Sequence, residues 1–199
     1  MHLVENITKQ ELNNIKQIIG NAFVNNELFH EFGHNRQELV QKYMNHYVQY
    51  VYDSKSLYVN DTNDGYIGLC YSKNEPLIPK IKMLVGIMKD IPTIKLMNML
   101  KQANENTKGN NIYTKNPYLE VLMVCVDKKV QGQGKSRELV EFAKSEAINY
   151  NVPLLFDTDV ETYAKIYQHY GCTLYNQCTA SNGVTRYNLV YQYKGDQYD

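Results

Sequence analysis

The chain has 199 residues, with 21 Lys and Arg balanced by 21 Asp and Glu, and 43% hydrophobic residues. That length fits one domain, residues 1–199, with a core large enough to need no disulfide or metal staple. The zero formal charge argues against a polyanion partner such as nucleic acid. No apolar run reaches the length of a membrane span and no signal-peptide core opens the chain, so a cytoplasmic protein without membrane contact is expected.

The first residues read as a short strand, followed by a helix whose start is marked by Thr8 and, three residues on, Glu11. Leu12, Ile15, Ile19 and Ala22 then form one stripe of an amphipathic helix over 9–23. A second helix over 36–52 repeats the pattern with Leu39, Val40, Tyr43, Tyr47 and Val51. Strands at 56–60 and 66–71 flank Asp61-Thr62-Asn63-Asp64-Gly65, whose residue types make a tight turn, so the pair is a hairpin. Two apolar helices follow over about 77–104, broken near Ile91 by Pro92. They form an insertion ahead of the next strand, and their methionines either line a flexible apolar pocket or merely cover the sheet. Residues 105–111 read as a polar loop.

The stretch from Tyr118 to Asn149 carries the most information. Residues 118–127 are apolar and β-branched enough for a buried strand, and Leu139, Val140, Ala143 and Ala147 recur at helical spacing. Between them, Gln131-Gly132-Gln133-Gly134-Lys135-Ser136 turns a strand into a helix N-terminus through two glycines. Such a turn is an anion cradle, because backbone N–H groups converge there and the helix dipole favours negative charge. A phosphorylated ligand is expected. Gly134-Lys135-Ser136 imitates the end of a P-loop, with Leu154–Asp157 as its acidic strand, but Lys129 stands where that loop needs its first Gly. A dinucleotide fingerprint fails at Arg137. Further on, residues 152–159 read as a strand, 161–170 as a helix broken at Gly171, and two more strands follow on either side of Gly183, with the tail beyond Lys194 fraying. The cysteines at 70, 125, 172 and 178 make no Cys-x-x-Cys pair, so no metal site is expected and burial in a reduced protein is the natural reading.

The 131–136 loop resembles the Q/R-x-x-G-x-G/A pyrophosphate loop of the GNAT acetyltransferases, with Ser136 in the last small position and Val126 five residues upstream, where that family ends its central strand. Tyr167 and Gly171 match the family's Tyr before the last helical turn and the Gly that opens the next strand. Lys128 replaces a frequent Pro, and Tyr163 stands where a branch containing puromycin N-acetyltransferase often has Asn. Asp157-Thr158 and Ala22-Phe23 are also similar to that branch. The likeness is strong over 118–172 and loose elsewhere.

The resemblance implies an α/β fold, with a central, mainly antiparallel sheet of six or seven strands flanked by helices, parting near Val126. It implies an acetyl-CoA-dependent N-acetyltransferase of a small amine, as monomer or homodimer. The alternatives are a protein or peptide N-acetyltransferase, or an acyl-CoA sensor without turnover. Cofactor contacts would come from Val124, Cys125, Val126, Gln131, Gly132, Gln133, Gly134, Lys135 and Ser136. Tyr167 is the implied acid, with Tyr170 and Tyr163 as substitutes. Glu120, six residues before Val126 and of the same strand parity, is the candidate base or else a solvated strand-end carboxylate. His169 and His34 are weaker candidates, and Asp157 is expected either to orient a substrate cation or to hydrogen-bond the strand end.

Overall fold

The computed structural model describes residues 1–107 and 112–193. The end of the polar loop at 105–111 and the tail from Lys194 lie outside the described residues. After β1 (His2–Leu3), α1 (Lys9–Phe23) starts with the expected capping box. The Thr8 hydroxyl accepts from the Glu11 N–H at 3.2 Å, and the Glu11 carboxylate accepts from the Thr8 N–H at 2.7 Å. Before α2 (Arg36–Asp53) the chain makes 3-10 turns over Glu27–Asn35, which periodicity alone did not reveal. Their entry is fixed by the Asn26 side chain accepting from the Leu28 N–H, and they turn Phe29 and Phe32 into the core. The hairpin β2 (Leu57–Val59) and β3 (Gly65–Tyr71) follows, then the insertion α3 (Leu77–Asp90) and α4 (Thr93–Glu105), which breaks at Pro92 as expected. The chain ends with β4 (Leu119–Val126), α5 (Lys135–Tyr150), β5 (Leu154–Thr158), α6 (Glu161–His169), β6 (Thr173–Thr179) and β7 (Thr185–Tyr191).

The seven strands form one sheet in the order β1-β2-β3-β4-β5-β7-β6, and every neighbouring pair is antiparallel except β4 with β5. The α/β sheet expected from the sequence is therefore present. One face packs on α1, α2 and the 3-10 turns through Ile19, Phe29, Phe32, Val40, Val48 and Val51. The other packs on α5 and α6 through Leu139, Val140, Ala143, Ala147 and Ala164. The insertion packs chiefly on the helical layer. Ile87 and Met99 are buried with the first core, α3 lies along α2 and α4 along the 3-10 turns, while Met88 and Met97 face outward.

Two irregularities position the candidate site. Gly68 pairs with Met123 and Leu69 with Val121, which leaves Leu122 as an extra residue, a β-bulge in β4. The side chains record the switch: Leu119 and Val121 pack on the α5 face, Leu122 and Met123 on the α2 face, and Val124 and Val126 again on the α5 face. The second irregularity is a split. β4 pairs with β5 only through Leu119–Leu154, Glu120–Leu155 and Val121–Phe156, after which β4 stays with β3 and β5 stays with β7. The strands part right after Val121, five residues earlier than the expected parting near Val126.

The β2–β3 turn is clamped by Asn60, which is fully buried. Its Oδ1 accepts from the N–H groups of Asp64 at 3.1 Å and Gly65 at 3.0 Å, and its Nδ2 donates to Asp64 Oδ1 at 2.7 Å. Removing that acceptor orphans buried amides, each costing about 1–3 kcal/mol. Asn60→Ala is expected to lower stability by about 2–4 kcal/mol, read as a shift in the urea midpoint.

Candidate active site

After β4 the chain makes one 3-10 turn over Lys128–Val130, capped by Asp127, whose carboxylate accepts from the Lys129 N–H at 3.0 Å. The loop then reaches α5 through Gly132 at φ 81° and Gly134 at φ 78°. Both angles are left-handed, which glycine adopts without strain. A Cβ added at either glycine would meet no protein atom within 4 Å, so the main chain borders open space where a ligand can approach it. Gln131 Nε2 donates to the Val126 carbonyl at 3.2 Å, tying the loop back to the strand.

The split in the sheet lies beside this loop, and the bulge decides what faces it. Leu119 N–H donates to the Pro153 carbonyl, toward β5, whereas Asp127 N–H donates to the Asp64 carbonyl, toward β3. Both residues are odd-numbered, so without a bulge their amides would point the same way. Counting back from Asp127 along an antiparallel ladder, Cys125 and Met123 bond to β3, while the amides of Val124 and Val126 point into the gap. Tyr47 holds the bulge by donating its hydroxyl to the Leu122 carbonyl at 3.0 Å.

No protein-family profile matches the sequence, and comparison with curated protein sequences gives no match either. Solved structures do match. An agmatine N-acetyltransferase superposes over 95% of this chain and 98% of its own with a TM-score of 0.61 at 10% identity. A polyamine N-acetyltransferase from Drosophila melanogaster superposes over 91% and 96% with a TM-score of 0.54 at 9% identity. An N-acetyltransferase from Staphylococcus aureus covers 96% and 100% with a TM-score of 0.54 at 14% identity. The fold is that of the GNAT acetyltransferases.

Within this GNAT fold, the residues singled out from the sequence fall into three places. Gln131, Gly132, Gln133 and Gly134 form the exposed loop. Lys135 and Ser136 open α5, but their side chains are engaged elsewhere: Lys135 Nζ donates to Thr62 Oγ1 at 2.9 Å, and Ser136 Oγ shares a hydrogen bond with the Tyr170 hydroxyl at 3.1 Å. Only their main-chain N–H groups face forward as part of the helix N-terminus. Of the three β4 residues, Val124 and Val126 offer amides to the gap, while Cys125 is spent on β3 and its side chain is buried in the first core.

Tyr167 sits on the α5 and α6 side of the split. Its ring packs on Phe156, the last β5 residue paired with β4, with centroids 4.8 Å apart. Burial pushes its phenol well above the ordinary tyrosine range, so the hydroxyl keeps its proton at any physiological pH. Tyr170 lies at the loop on Ser136, Tyr163 is exposed on α6, and His34 and His169 are exposed.

Glu120 lies on the opposite face. The parity argument that aligned it with Val126 fails at Leu122, because the bulge turns the two residues to different faces. It stands between Cys70 of β3 and Leu155 of β5 on the α2 face, near several tyrosines. Tyr47 and Tyr50 of α2 feel its charge, as do Tyr118 and Tyr175. The Tyr50 hydroxyl donates to Glu75 at 3.1 Å, and Lys80 pairs with the same carboxylate at 2.7 Å. Burial, then the charges of Asp157 and Glu75, raise the Glu120 carboxyl to about 7.

Asp157, on the same face of β5 but partly open to solvent, accepts from Asn188 Nδ2 at 2.7 Å with Arg186 at 3.7 Å, and desolvation raises its carboxyl against their pull. Arg186 itself is clamped on Asp159 by two hydrogen bonds of 2.7 and 2.9 Å. Sequence reasoning missed Tyr47, Glu75, Arg186 and Asn188, because nothing in their local context distinguishes them and only the packing of α2 on the sheet and the β5–β7 pairing bring them together. One surface hollow, lined by Tyr58, Leu69, Leu119 and Tyr150, shares no residue with the loop and lies at the other end of β4.

A carboxyl raised from 4.5 to about 7 by folding is worse off ionised inside the protein than in the unfolded chain. Stability linked to it is therefore complete below about 4.5, is lost as pH rises from there to about 7, and changes no further above that. Glu120→Gln removes the ionisation and is expected to stabilise the protein by about 1–3 kcal/mol at pH 8, with the gain fading toward pH 5. Chemical unfolding at the two pH values measures the difference.

Proposed function

We propose that the protein is an acetyl-CoA-dependent N-acetyltransferase acting on a small amine. The observation that carries this reading is the coincidence, at one end of β4, of two outward-facing amides and a glycine loop bordered by open space. The loop and the first turn of α5 offer main-chain N–H groups to a pyrophosphate. Val124 N–H and Val126 N–H, fixed by the bulge before any ligand arrives, would bond the pantetheine arm as an added strand and polarise the thioester carbonyl. The agmatine and polyamine acetyltransferases of the same fold act on amines, which supports the choice of acceptor class.

Glu120 and Tyr167 flank the gap from opposite faces of the sheet, which separates the two proton transfers. On the α2 face, Glu120, ionised above about pH 7, takes the proton that the acceptor nitrogen must lose, directly or through a water. The nitrogen then adds to the thioester carbonyl carbon and the C–S bond breaks. On the α6 face, Tyr167, held neutral by burial, gives its proton to the departing sulfur. Asp157 and Glu75 add negative charge to the acceptor side, which favours a cationic substrate. The local likeness of 118–172 to the puromycin-acetylating branch makes an amine-bearing antibiotic one member of the acceptor panel.

Purified protein incubated with acetyl-CoA and a panel of amines is expected to release free thiol only when an acceptor is present, with kcat/KM rising through a midpoint of about pH 7. Binding of acetyl-CoA without thiol release for any amine or peptide would make it a sensor instead. Tyr167→Phe should lower the single-turnover rate by about 10²–10⁴-fold while leaving acetyl-CoA affinity nearly unchanged. Full single-turnover rate in that variant would remove Tyr167 from the mechanism.

For the loop, Gly134→Val is expected to abolish acetyl-CoA binding in titration calorimetry. Its branched side chain is strained at φ 78° and fills the space a ligand would use, without meeting protein atoms. Wild-type affinity in a folded Gly134→Val protein would place the pyrophosphate elsewhere.

A further inference from the structure

Helix α3 carries an apolar side that the described residues leave open. Leu77, Ile78, Ile81, Leu84, Val85 and Met88 are between 47% and 68% exposed. The helix itself is firmly mounted. Ile87 is buried, Gly86 lies against the His46 ring of α2, and His46 hydrogen-bonds Asp90 at 2.7 Å. The exposure is therefore a property of the folded chain.

The open side is ordered into three rows. Leu77, Ile81, Leu84 and Met88 follow steps of four, three and four, and so share one line along the helix. Ile78 and Val85, seven residues apart, lie beside that line. Lys82 and Lys89, each four residues on from one of these two, form the next row round, and both are exposed. Apolar side chains thus grade into ammonium groups on long stems, which cover apolar surface while the charge stays in water. Neither lysine makes an ion pair among the described residues. The acids nearby are engaged elsewhere: Asp90, the one acid of α3, is turned to His46, and Glu75 holds Lys80 at 2.7 Å. Residues 77–105 as a whole hold five lysines against two acids, in a chain whose formal charge is zero.

We propose that α3 docks the protein on an anionic lipid surface. The row from Leu77 to Met88 sinks among acyl chains, and Lys82 and Lys89 meet headgroup phosphates. A side that is apolar at its centre and basic along its flank matches a bilayer, whose charged headgroups overlie a hydrocarbon interior. A second copy of the chain fits less well. An isologous contact through this side gathers the lysine rows of both copies at its rim and offers no carboxylate to meet them. The helix lies on the surface and does not span it, because no helix among the described residues is long and apolar enough to cross a membrane. The expectation of a protein without membrane contact rested on bulk charge and spanning length, and neither registers a local basic flank on one short helix. The docking stands apart from the proposed acetyl transfer and is tested without it.

Flotation of the full chain with vesicles of phosphatidylglycerol and phosphatidylcholine in equal parts measures the binding. Wild type is expected to float with them, to be partly released by high salt, and to bind phosphatidylcholine alone far more weakly. Lys82→Gln with Lys89→Gln should weaken partitioning about thirtyfold, each lysine at an anionic surface being worth roughly a factor of five. Leu84→Gln should weaken it at least about tenfold through lost apolar burial. Lys165→Gln, the same charge change on α6 across the sheet, should leave it unchanged. Far-UV circular dichroism checks folding, and the exposed lysine pair keeps the test open if Leu84→Gln unfolds. Wild type that stays with the soluble fraction overturns the proposal. Binding that survives the lysine pair change, or that falls as much in Lys165→Gln, overturns it as well. A protein that ignores vesicles and sediments as a dimer that Leu84→Gln dissociates gives the face to a second copy instead.

Discussion

One extra residue in one strand organises this molecule. Leu122 is paired with nothing across the β3–β4 ladder, and by occupying a place without a partner it reverses every side chain and amide that follows. Upstream of it, β4 serves the sheet on both edges. Downstream, the same strand serves β3 on one edge and keeps its other amides for the gap. A regular β4 would have turned Cys125 toward the gap and set Val124 against β3, and no single side-chain change could undo that. The bulge is stabilised from outside the strand, by the Tyr47 hydroxyl on its carbonyl. A tyrosine of α2 thus acts on the geometry of a backbone far from it in sequence.

The split and the bulge answer different needs. The split leaves a gap between two strands, and it exists because β5 follows β7 while β4 follows β3. The bulge gives that gap chemistry. Two cores on opposite faces keep the halves in place, so neither irregularity is compensated by loose packing. The same two-sidedness separates the carboxylates of Glu120, Asp157 and Glu75 from the apolar bed of Phe156 on which Tyr167 rests. Carboxylates and phenol are tuned in opposite surroundings.

Much of this was legible in the sequence where the signal was local. The capping box at Thr8 and Glu11, the break at Pro92, the hairpin turn before Gly65 and the glycine loop all depend on residues within a few positions of one another. The parity of Glu120 was not legible. Strand alternation predicts a face only while the strand stays regular, and Leu122 looks like any other apolar strand residue. The polar cluster beside Glu120 was equally hidden, since Asp157, Arg186 and Asn188 meet only through the pairing of β5 with β7. The 3-10 turns over 27–35 escaped because two phenylalanines three apart give too short a pattern to distinguish a turn from a helix end.

The union of β4 and β5 through only three residue pairs has a mechanical meaning. It is the junction between the two halves of the sheet, β1–β4 and β5–β7, and its three pairs are all that join them along the strands. Such a seam behaves as a hinge whose stiffness comes from the side chains at its end. Val121 and Phe156 form the last pair, and the Tyr167 ring lies on Phe156. The width of the opening is thereby coupled to the same aromatic stack that carries the phenol. A change in the volume of Phe156 would alter the angle between the halves, and with it the reach between an amide on one half and a hydroxyl on the other.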